Sequence, residues 1–411
     1  MIENLVKKSV ISSNRLKYLI YLSLFSFLVG FGCKENLLVP TIPKGIENRL
    51  ESTIEKRGKR DHDDVAVIIN NNSNISKQIG RYFASHRNIP NQNIIYINAL
   101  ADEEINDLEF NNLRSQVENY IQANNLEDKI NYIVTTKGMP LKVNRGDTFS
   151  ESSPSASVES ELTLILGPYS NNIGQNGIVF SPYYYQKAHF SRSKYGIYLV
   201  TRLDGYTSDE IMAMIDKAAQ PIVVDGAKFV QLIKPNVVKR TKFVFDQDPA
   251  WDSSLPGLNH AMASASTILT SKGYNVLLNT DSVYVTNQTD VLGYVSWGSN
   301  DHYANRYTQN AIPHNKWHRG ALAETYVSSS GRTFSKPVTY GQSLVADLIT
   351  EGITGVKGYV YEPYSFAMAV VPVLFDRYTS DYNLAESFYM ASRLLSWMDV
   401  VIGDPKTSIT K

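Results

Sequence analysis

The sequence has little cysteine, with a single thiol at Cys33 among 411 residues. Because a disulfide needs two cysteines, the chain cannot close an internal disulfide. It also has no charge excess, since 40 basic residues face 40 acidic ones, and no polybasic stripe for nucleic-acid phosphates. The zinc motifs H-E-x-x-H and paired C-x-x-C are absent. We therefore predict no nucleic-acid partner and no cofactor.

The apolar run near the N-terminus is too short for an ordinary membrane span. It covers residues 19–31, which is 13 residues without a charge. At 1.5 Å per residue a helix of this length covers about 20 Å, whereas the hydrocarbon core is about 30 Å thick. Four basic residues and one acid precede the run. This order predicts a signal peptide.

Cys33 follows Gly30-Phe31-Gly32 directly after the apolar run. The site resembles the lipobox of bacterial lipoproteins, whose cysteine is acylated and becomes the new N-terminus. It departs from that pattern at Gly30, where an aliphatic residue is expected. The alternative is a cysteine that merely lies near an ordinary cleavage site. Acylation of Cys33 implies an exported protein of the bacterial cell envelope, held to a membrane by lipid.

Four segments are predicted along the chain. Residues 1–33 form the signal peptide with its lipidation cysteine, and residues 34–63, which are polar and charged, form a flexible tether. An N-terminal α/β lobe covers residues 64–225 and carries a loop insertion near 144–194. A second α/β lobe covers residues 226–411. Without residues 1–32 the chain keeps 36 basic and 39 acidic residues.

The fold class follows from alternating patterns. Apolar runs typical of buried strands alternate with amphipathic stretches typical of helices, which predicts a mostly parallel sheet flanked by helices. Predicted strands cover residues 65–69, 94–97, 130–136, 198–203, 242–245, 274–278, 292–295 and 355–361. Predicted helices cover residues 75–86, 103–122, 260–271, 341–351 and 384–397, with a further one capped by Thr207 or Ser208.

Polar residues follow four of these strands, where ligand sites of parallel sheets gather. They are Arg202 and Asp204, Asp246 and Asp248, the segment 296–302 with Trp297, Asp301 and His302, and Glu362 with Tyr364. We predict that the four clusters converge on one cleft. Simpler alternatives exist: a structural ion pair for Arg202 and Asp204, and an Asp-rich turn instead of a divalent-cation site for Asp246 and Asp248.

Several short motifs together resemble the caspase-like domain of gingipain-type cysteine peptidases, and more closely an uncharacterised bacterial family related to that fold. They extend over residues 65–406 and place the caspase-like part in the second half. The motifs are Asn88-Ile89-Pro90, Lys137-Gly138-Met139-Pro140-Leu141, Ser157-Val158-Glu159-Ser160-Glu161-Leu162, Val200-Thr201-Arg202-Leu203-Asp204-Gly205, Gly320-Ala321-Leu322-Ala323, Glu362-Pro363-Tyr364 and Gly403-Asp404-Pro405. Asp404, which belongs to the last of these motifs, is a further candidate cleft residue.

The departure from that family concerns the chemistry. The resemblance implies a His before a Gly at the end of one strand and a Cys at the end of the next, the base and nucleophile of a thiol mechanism. Here Trp297 stands at the His position, and the nucleophile segment, residues 326–330, contains no cysteine. The only cysteine is Cys33. Cysteine-peptidase activity is therefore excluded.

Two functions from different classes remain. In the first, the domain is a binding or scaffold module for a protein or glycan partner, its cleft closed or re-lined by Trp297 and Tyr364. In the second, Ser328 replaces the thiol as a hydrolase nucleophile, with His302 as base and Asp301 or Asp248 orienting it. His302 lies five residues beyond the family's histidine position. We favour the first.

Overall fold

The computed structural model describes residues 62–175, 178–219, 222–223, 241–305, 311–338 and 341–410. The predicted signal peptide, Cys33 and nearly all of the predicted tether lie outside these residues. Within the described part, no helix is both long and apolar enough to cross a membrane.

A ten-stranded sheet flanked by helices organises the described chain, which confirms the predicted α/β class with a mostly parallel sheet. Its spatial order is β6-β5-β7-β8-β9-β10-β4-β3-β1-β2. In chain order the strands are β1 Val65–Asn70, β2 Ile94–Ile97, β3 Tyr132–Thr136, β4 Leu199–Leu203, β5 Lys242–Asp246, β6 Asn275–Asn279, β7 Val291–Ser296, β8 Trp317–Thr325, β9 Gly355–Tyr359 and β10 Asp399–Ile402.

Helices occur in both halves of the described chain. They are α1 Asn74–Arg87, α2 Asp107–Ala123, α3 Val158–Leu162, α4 Arg192–Tyr195, α5 Ser208–Lys217, α6 Pro256–Ser271, α7 Val345–Thr350, α8 Val371–Tyr378 and α9 Leu384–Ala391. Among them α8 packs against α6 and α9, and α1 packs against α5 and β1. All six residues of β1 are buried, as expected for a strand that is covered on both faces.

The sheet reverses direction at its centre. β9 pairs with β10 in antiparallel fashion, whereas β10 pairs with β4 in parallel at Ile402 and Arg202. All other neighbouring strands of this sheet are parallel. Strands β1 to β4 therefore run opposite to β5 to β9, and their carboxyl ends face opposite edges. The predicted convergence of all four polar clusters at one edge is wrong for this reason.

Local capping explains several boundaries. The side chains of Asn106 and Glu109 form a capping box at α2, so this helix begins at Asp107 and not at residue 103 as predicted. The residues before it, Glu104–Ile105, instead pair with Lys142–Val143, which also pairs with Ala156–Ser157. Thr207, one of the two predicted caps, forms the capping box of α5 with Glu210.

The predicted helix 384–397 is too long. α9 ends at Ala391, and Leu394–Leu395 pairs with Val179–Phe180 as a short antiparallel ladder. The insertion near 144–194 supplies that partner strand and also α3, every residue of which is buried. The insertion is therefore part of the packed core as well as a connection.

Candidate functional site

The ends of β7 and β8, where a base and a nucleophile were predicted to lie, are side by side. The two strands are parallel neighbours, with Ser296 opposite Thr325. The Tyr326 backbone N–H donates to the Ser296 carbonyl at 2.9 Å. Asn300 Nδ2 donates to the Tyr326 carbonyl at 2.8 Å. Position 297 is therefore beside the segment 326–330.

Trp297 fills this edge with aromatic surface. It is 2% exposed, stacks on Trp251 with ring centroids 4.8 Å apart, and meets Tyr326 edge-on at 5.2 Å. Its indole Nε1–H donates to Asn259 Oδ1 at 2.8 Å. An indole only donates hydrogen bonds and cannot accept a proton as a catalytic base does. Trp297 is therefore a packing residue.

Asp248 and His302 form a hydrogen-bonded pair beside the stack. The imidazole Nδ1 lies 2.7 Å from Asp248 Oδ2, and the His302 backbone N–H donates to the same oxygen at 2.8 Å. The Asp248 side chain is fully buried, whereas that of His302 is 33% exposed. A carboxylate that accepts Nδ1–H leaves Nε2 as the basic nitrogen. When Nδ1–H donates to Asp248, Nε2 is therefore the nitrogen of this one-third exposed imidazole that can accept a proton.

Two further buried carboxyls lie near this pair. Burial, reinforced by the charge of Asp248, raises the pKa of Asp301 to about 6 and that of Asp246 to about 7. Asp301 Oδ1 accepts the backbone N–H groups of Tyr303 and Ala304, so this carboxyl orders the turn and forms no hydrogen bond with the imidazole. Of the two predicted orienting groups, the structure brings Asp248 to His302.

The carboxylate oxygens of Asp246 and Asp248, which a divalent cation would need as ligands, already accept hydrogen bonds. Asp246 accepts hydrogen bonds from Asn279 Nδ2 and the Val285 N–H, both at 2.8 Å. Both oxygens of Asp248 are also occupied, one by the Ala250 N–H and the other by His302. Among the described residues, no group of three His, Cys, Asp or Glu side chains is arranged to hold a metal ion.

Ser328 is half-buried three residues after the end of β8. In the described part of the chain its hydroxyl forms no hydrogen bond, and none joins it to His302. A serine nucleophile needs a base within about 3 Å. The predicted Ser328–His302 contact is therefore not formed in this conformation.

Arg202 and Asp204 belong to a different buried network. The Arg202 guanidinium donates to Asp204 Oδ2 at 2.7 Å and to Glu159 Oε1 at 2.8 Å, and Lys137 Nζ lies 3.2 Å from Asp204. Burial alone would lower the pKa of Arg202, but the charges of Glu159 and Asp204 outweigh it and raise that pKa. No described hydrogen bond or ring contact joins this network to His302. It acts as a structural ion cluster.

The remaining predicted residues are also apart from His302. Asp404 Oδ2 forms an ion pair with Arg87 Nε at 2.6 Å. Burial would raise the pKa of Asp404, but the nearby Arg87 and His62 lower that pKa strongly. Glu362 accepts the Tyr364 N–H at 3.1 Å, and the Tyr364 ring stacks on Phe366 at 5.8 Å. Tyr364 has a φ of 57°, which only the surrounding contacts can maintain in a non-glycine residue.

Two contributors to this edge were not predicted from the sequence. Trp251 forms the other half of the aromatic stack. Asn259 connects Trp297 to Asp248: its Oδ1 accepts the Trp297 indole N–H, and its Nδ2 donates to the Asp248 carbonyl at 2.8 Å. The position of Trp251 three residues after Asp248, just beyond a strand, was the available signal.

No protein-family model matches this chain, and no curated protein or solved structure is detectably similar to it.

Proposed function

We propose that this chain is an exported bacterial envelope lipoprotein, anchored through Cys33, whose caspase-like α/β domain binds a protein or glycan partner and does not cleave peptide bonds. The observation that carries the binding role is Trp297. It occupies the base position of the resembling peptidases, is buried, and is held by Trp251, Tyr326 and Asn259. No cofactor is part of the proposal.

The caspase-like assignment is supported by the placement of position 297 and the segment 326–330 at the ends of adjacent parallel strands. In this proposal a tryptophan takes the place of the proton acceptor, and serines stand where the thiol is expected. A fold that retains the strand-end edge without these groups retains a surface for binding.

The anchor is tested by replacing its thiol. In the Cys33→Ala variant the acylated residue is gone, and we expect the protein to leave the membrane fraction because no acyl chain remains to be buried. The measurement is the distribution of the full-length protein between membrane and soluble fractions after cell disruption. An equally membrane-bound Cys33→Ala variant would contradict lipid anchoring.

A second candidate function rests on the Asp248–His302 pair. The buried carboxylate orients an imidazole that is one-third exposed, which is the arrangement of a general base. Ser328 is the hydroxyl that such a base would activate, after a rearrangement that brings the two side chains into contact. This candidate is a serine hydrolase, with Ser328 as nucleophile, His302 as base and Asp248 as the orienting group.

A serine-reactive fluorophosphonate probe separates the two candidates. We expect no labelling of the wild-type protein, because Ser328 has no hydrogen-bonded base. Ser328→Ala serves as the site control, and Ser193→Ala, at an exposed serine far along the chain, as the matched surface control. Labelling of the wild type and of Ser193→Ala, but not of Ser328→Ala, would establish the hydrolase and reject the binding-only proposal.

A further inference from the structure

The strand β6, Asn275–Asn279, forms one edge of the ten-stranded sheet. Among the described residues it pairs only with β5, and in this ladder Asn279 lies opposite Asp246. The Gln247 N–H donates to the Asn279 carbonyl at 3.0 Å, so the backbone of Asn279 faces β5. Because the direction of the backbone groups alternates along a strand, every second residue of β6 faces β5 and the residues between them face away.

Val276 and Leu278 are the residues whose N–H and C=O groups face away from β5. In the described part of the chain, no backbone hydrogen bond outside the ladder with β5 reaches these four groups. The strand is also accessible from solvent, since Asn275 is exposed and Leu277 is 36% exposed. Unpaired groups in a row of this kind are a template for a further strand.

The features that usually prevent pairing at an edge are missing from β6. Residues 273–280 contain neither a charged residue nor a proline. β6 pairs with β5 residue for residue, without a bulge. Charged side chains, prolines and bulges are the means by which native edge strands avoid pairing with other chains. The outer side of β6 is therefore able to accept another strand.

The outward groups fit a second copy of the same strand. Val276 and Leu278 are equally far from Leu277, so a twofold axis at Leu277 places Val276 of each copy opposite Leu278 of the other. Residues that face each other in this way in an antiparallel pair exchange both N–H···O bonds. Four hydrogen bonds then satisfy all four outward groups of each copy, and the two Leu277 side chains meet as a cross-strand pair.

The charges that flank the strand favour the same arrangement. Lys272 precedes the uncharged run and Asp281 follows it. An antiparallel copy brings Lys272 of one chain to the same end as Asp281 of the other, whereas a parallel copy would bring like charges together. Opposite charges across an interface fix the orientation and the register of the two partners.

We infer that the outer edge of β6 is an interface with a second copy of this chain, which pairs antiparallel about Leu277 and continues the sheet across a twofold axis. Such a contact uses the same surface on both copies, so it closes at a dimer. The inference goes beyond the proposed function, because it depends neither on the lipid anchor nor on a ligand at the strand ends.

A disulfide across the twofold axis tests this register. Opposite residues of a non-hydrogen-bonded antiparallel pair have Cα atoms about 4.5 Å apart, within the range of about 4.4–6.8 Å that disulfides span. Full-length protein in detergent, carrying Cys33→Ala and Leu277→Cys, is oxidised and run on a non-reducing gel. We expect a covalent dimer that a reductant separates.

Leu108→Cys in the same Cys33→Ala background is the matched control. Leu108 is 79% exposed and lies on α2, so its thiol is accessible but on no predicted axis. We expect this variant to remain monomeric. Absence of a covalent dimer in Leu277→Cys, or equal crosslinking of the two variants, would overturn the inference.

A second measurement needs no added cysteine. Sedimentation of the full-length wild-type protein in detergent, at increasing concentration, should show the mass rise from one chain to two. Leu277→Lys places two ammonium groups at the axis and should weaken dimerisation about tenfold or more, whereas Leu108→Lys should dimerise as the wild type does. Both variants should melt near the wild type. A wild type that stays monomeric, or a Leu277→Lys variant that dimerises equally well, would contradict the β6 interface.

Discussion

Replacing Arg202 with methionine is expected to lower the free energy of unfolding by about 3–5 kcal/mol. The guanidinium is 1% exposed and donates to Glu159, Asp204 and the carbonyls of Met139 and Pro140. Methionine fills much of the same volume but provides no donor. Glu159 would keep its charge in the interior without a cation, and this uncompensated charge causes most of the loss. Urea denaturation of the purified protein measures it.

Two comparisons identify the cause. Arg114→Met removes the ion pair between Arg114 and Glu118, which are one helical turn apart. Because that pair is partly solvated, we expect the free energy of unfolding to fall by less than about 1 kcal/mol. The double variant Arg202→Met with Glu159→Leu removes both charges and should recover part of the lost stability. If the double variant were less stable than the Arg202→Met single variant, the uncompensated charge would not be the cause.

Replacing Trp297 with alanine is expected to lower the free energy of unfolding by about 3–5 kcal/mol, the usual range for truncating a buried aromatic residue. The change removes the stack on Trp251, the edge contact with Tyr326 and the hydrogen bond to Asn259. It also leaves the Asn259 amide oxygen without that donor. The same urea experiment measures the effect.

Tyr303→Ala is the matched control for Trp297→Ala. Tyr303 lies six residues further along the same segment, and its ring is 43% exposed. Truncating it should change the stability by no more than about 0.5 kcal/mol. A similarly small loss for Trp297→Ala would show that the stack does not close this edge, and the support that Trp297 gives to the binding role would be withdrawn.

The sequence predicts those features that depend on local pattern. The uninterrupted apolar run at residues 65–69 gives a buried strand, and β1 covers Val65–Asn70. A helix cap was predicted at Thr207 or Ser208, and in the structure Thr207 caps α5. In both cases the residues that determine the feature are neighbours in the chain.

Features that depend on distant partners are the ones that the sequence did not predict. The reversal of the sheet requires β10 to pair with β9 and β4, and nothing in residues 399–402 indicates those partners. The predicted helix 384–397 fails because Leu394 and Leu395 find a strand partner in the insertion. At the site, the sequence left Asp301 and Asp248 as alternative partners of His302, and the structure pairs His302 with Asp248, 54 positions away.

The central position of β10 has a consequence for the order of folding. Residues 399–402 connect two groups of parallel strands, and Ile402 pairs with Arg202 from the first group. Contacts between residues so distant in sequence form slowly, because a long loop must close first. Until β10 is in place, the inner edges of β4 and β9 have unpaired backbone groups, which can pair with other chains. In the native sheet, one short strand from near residue 400 therefore covers the inner edges of both half-sheets.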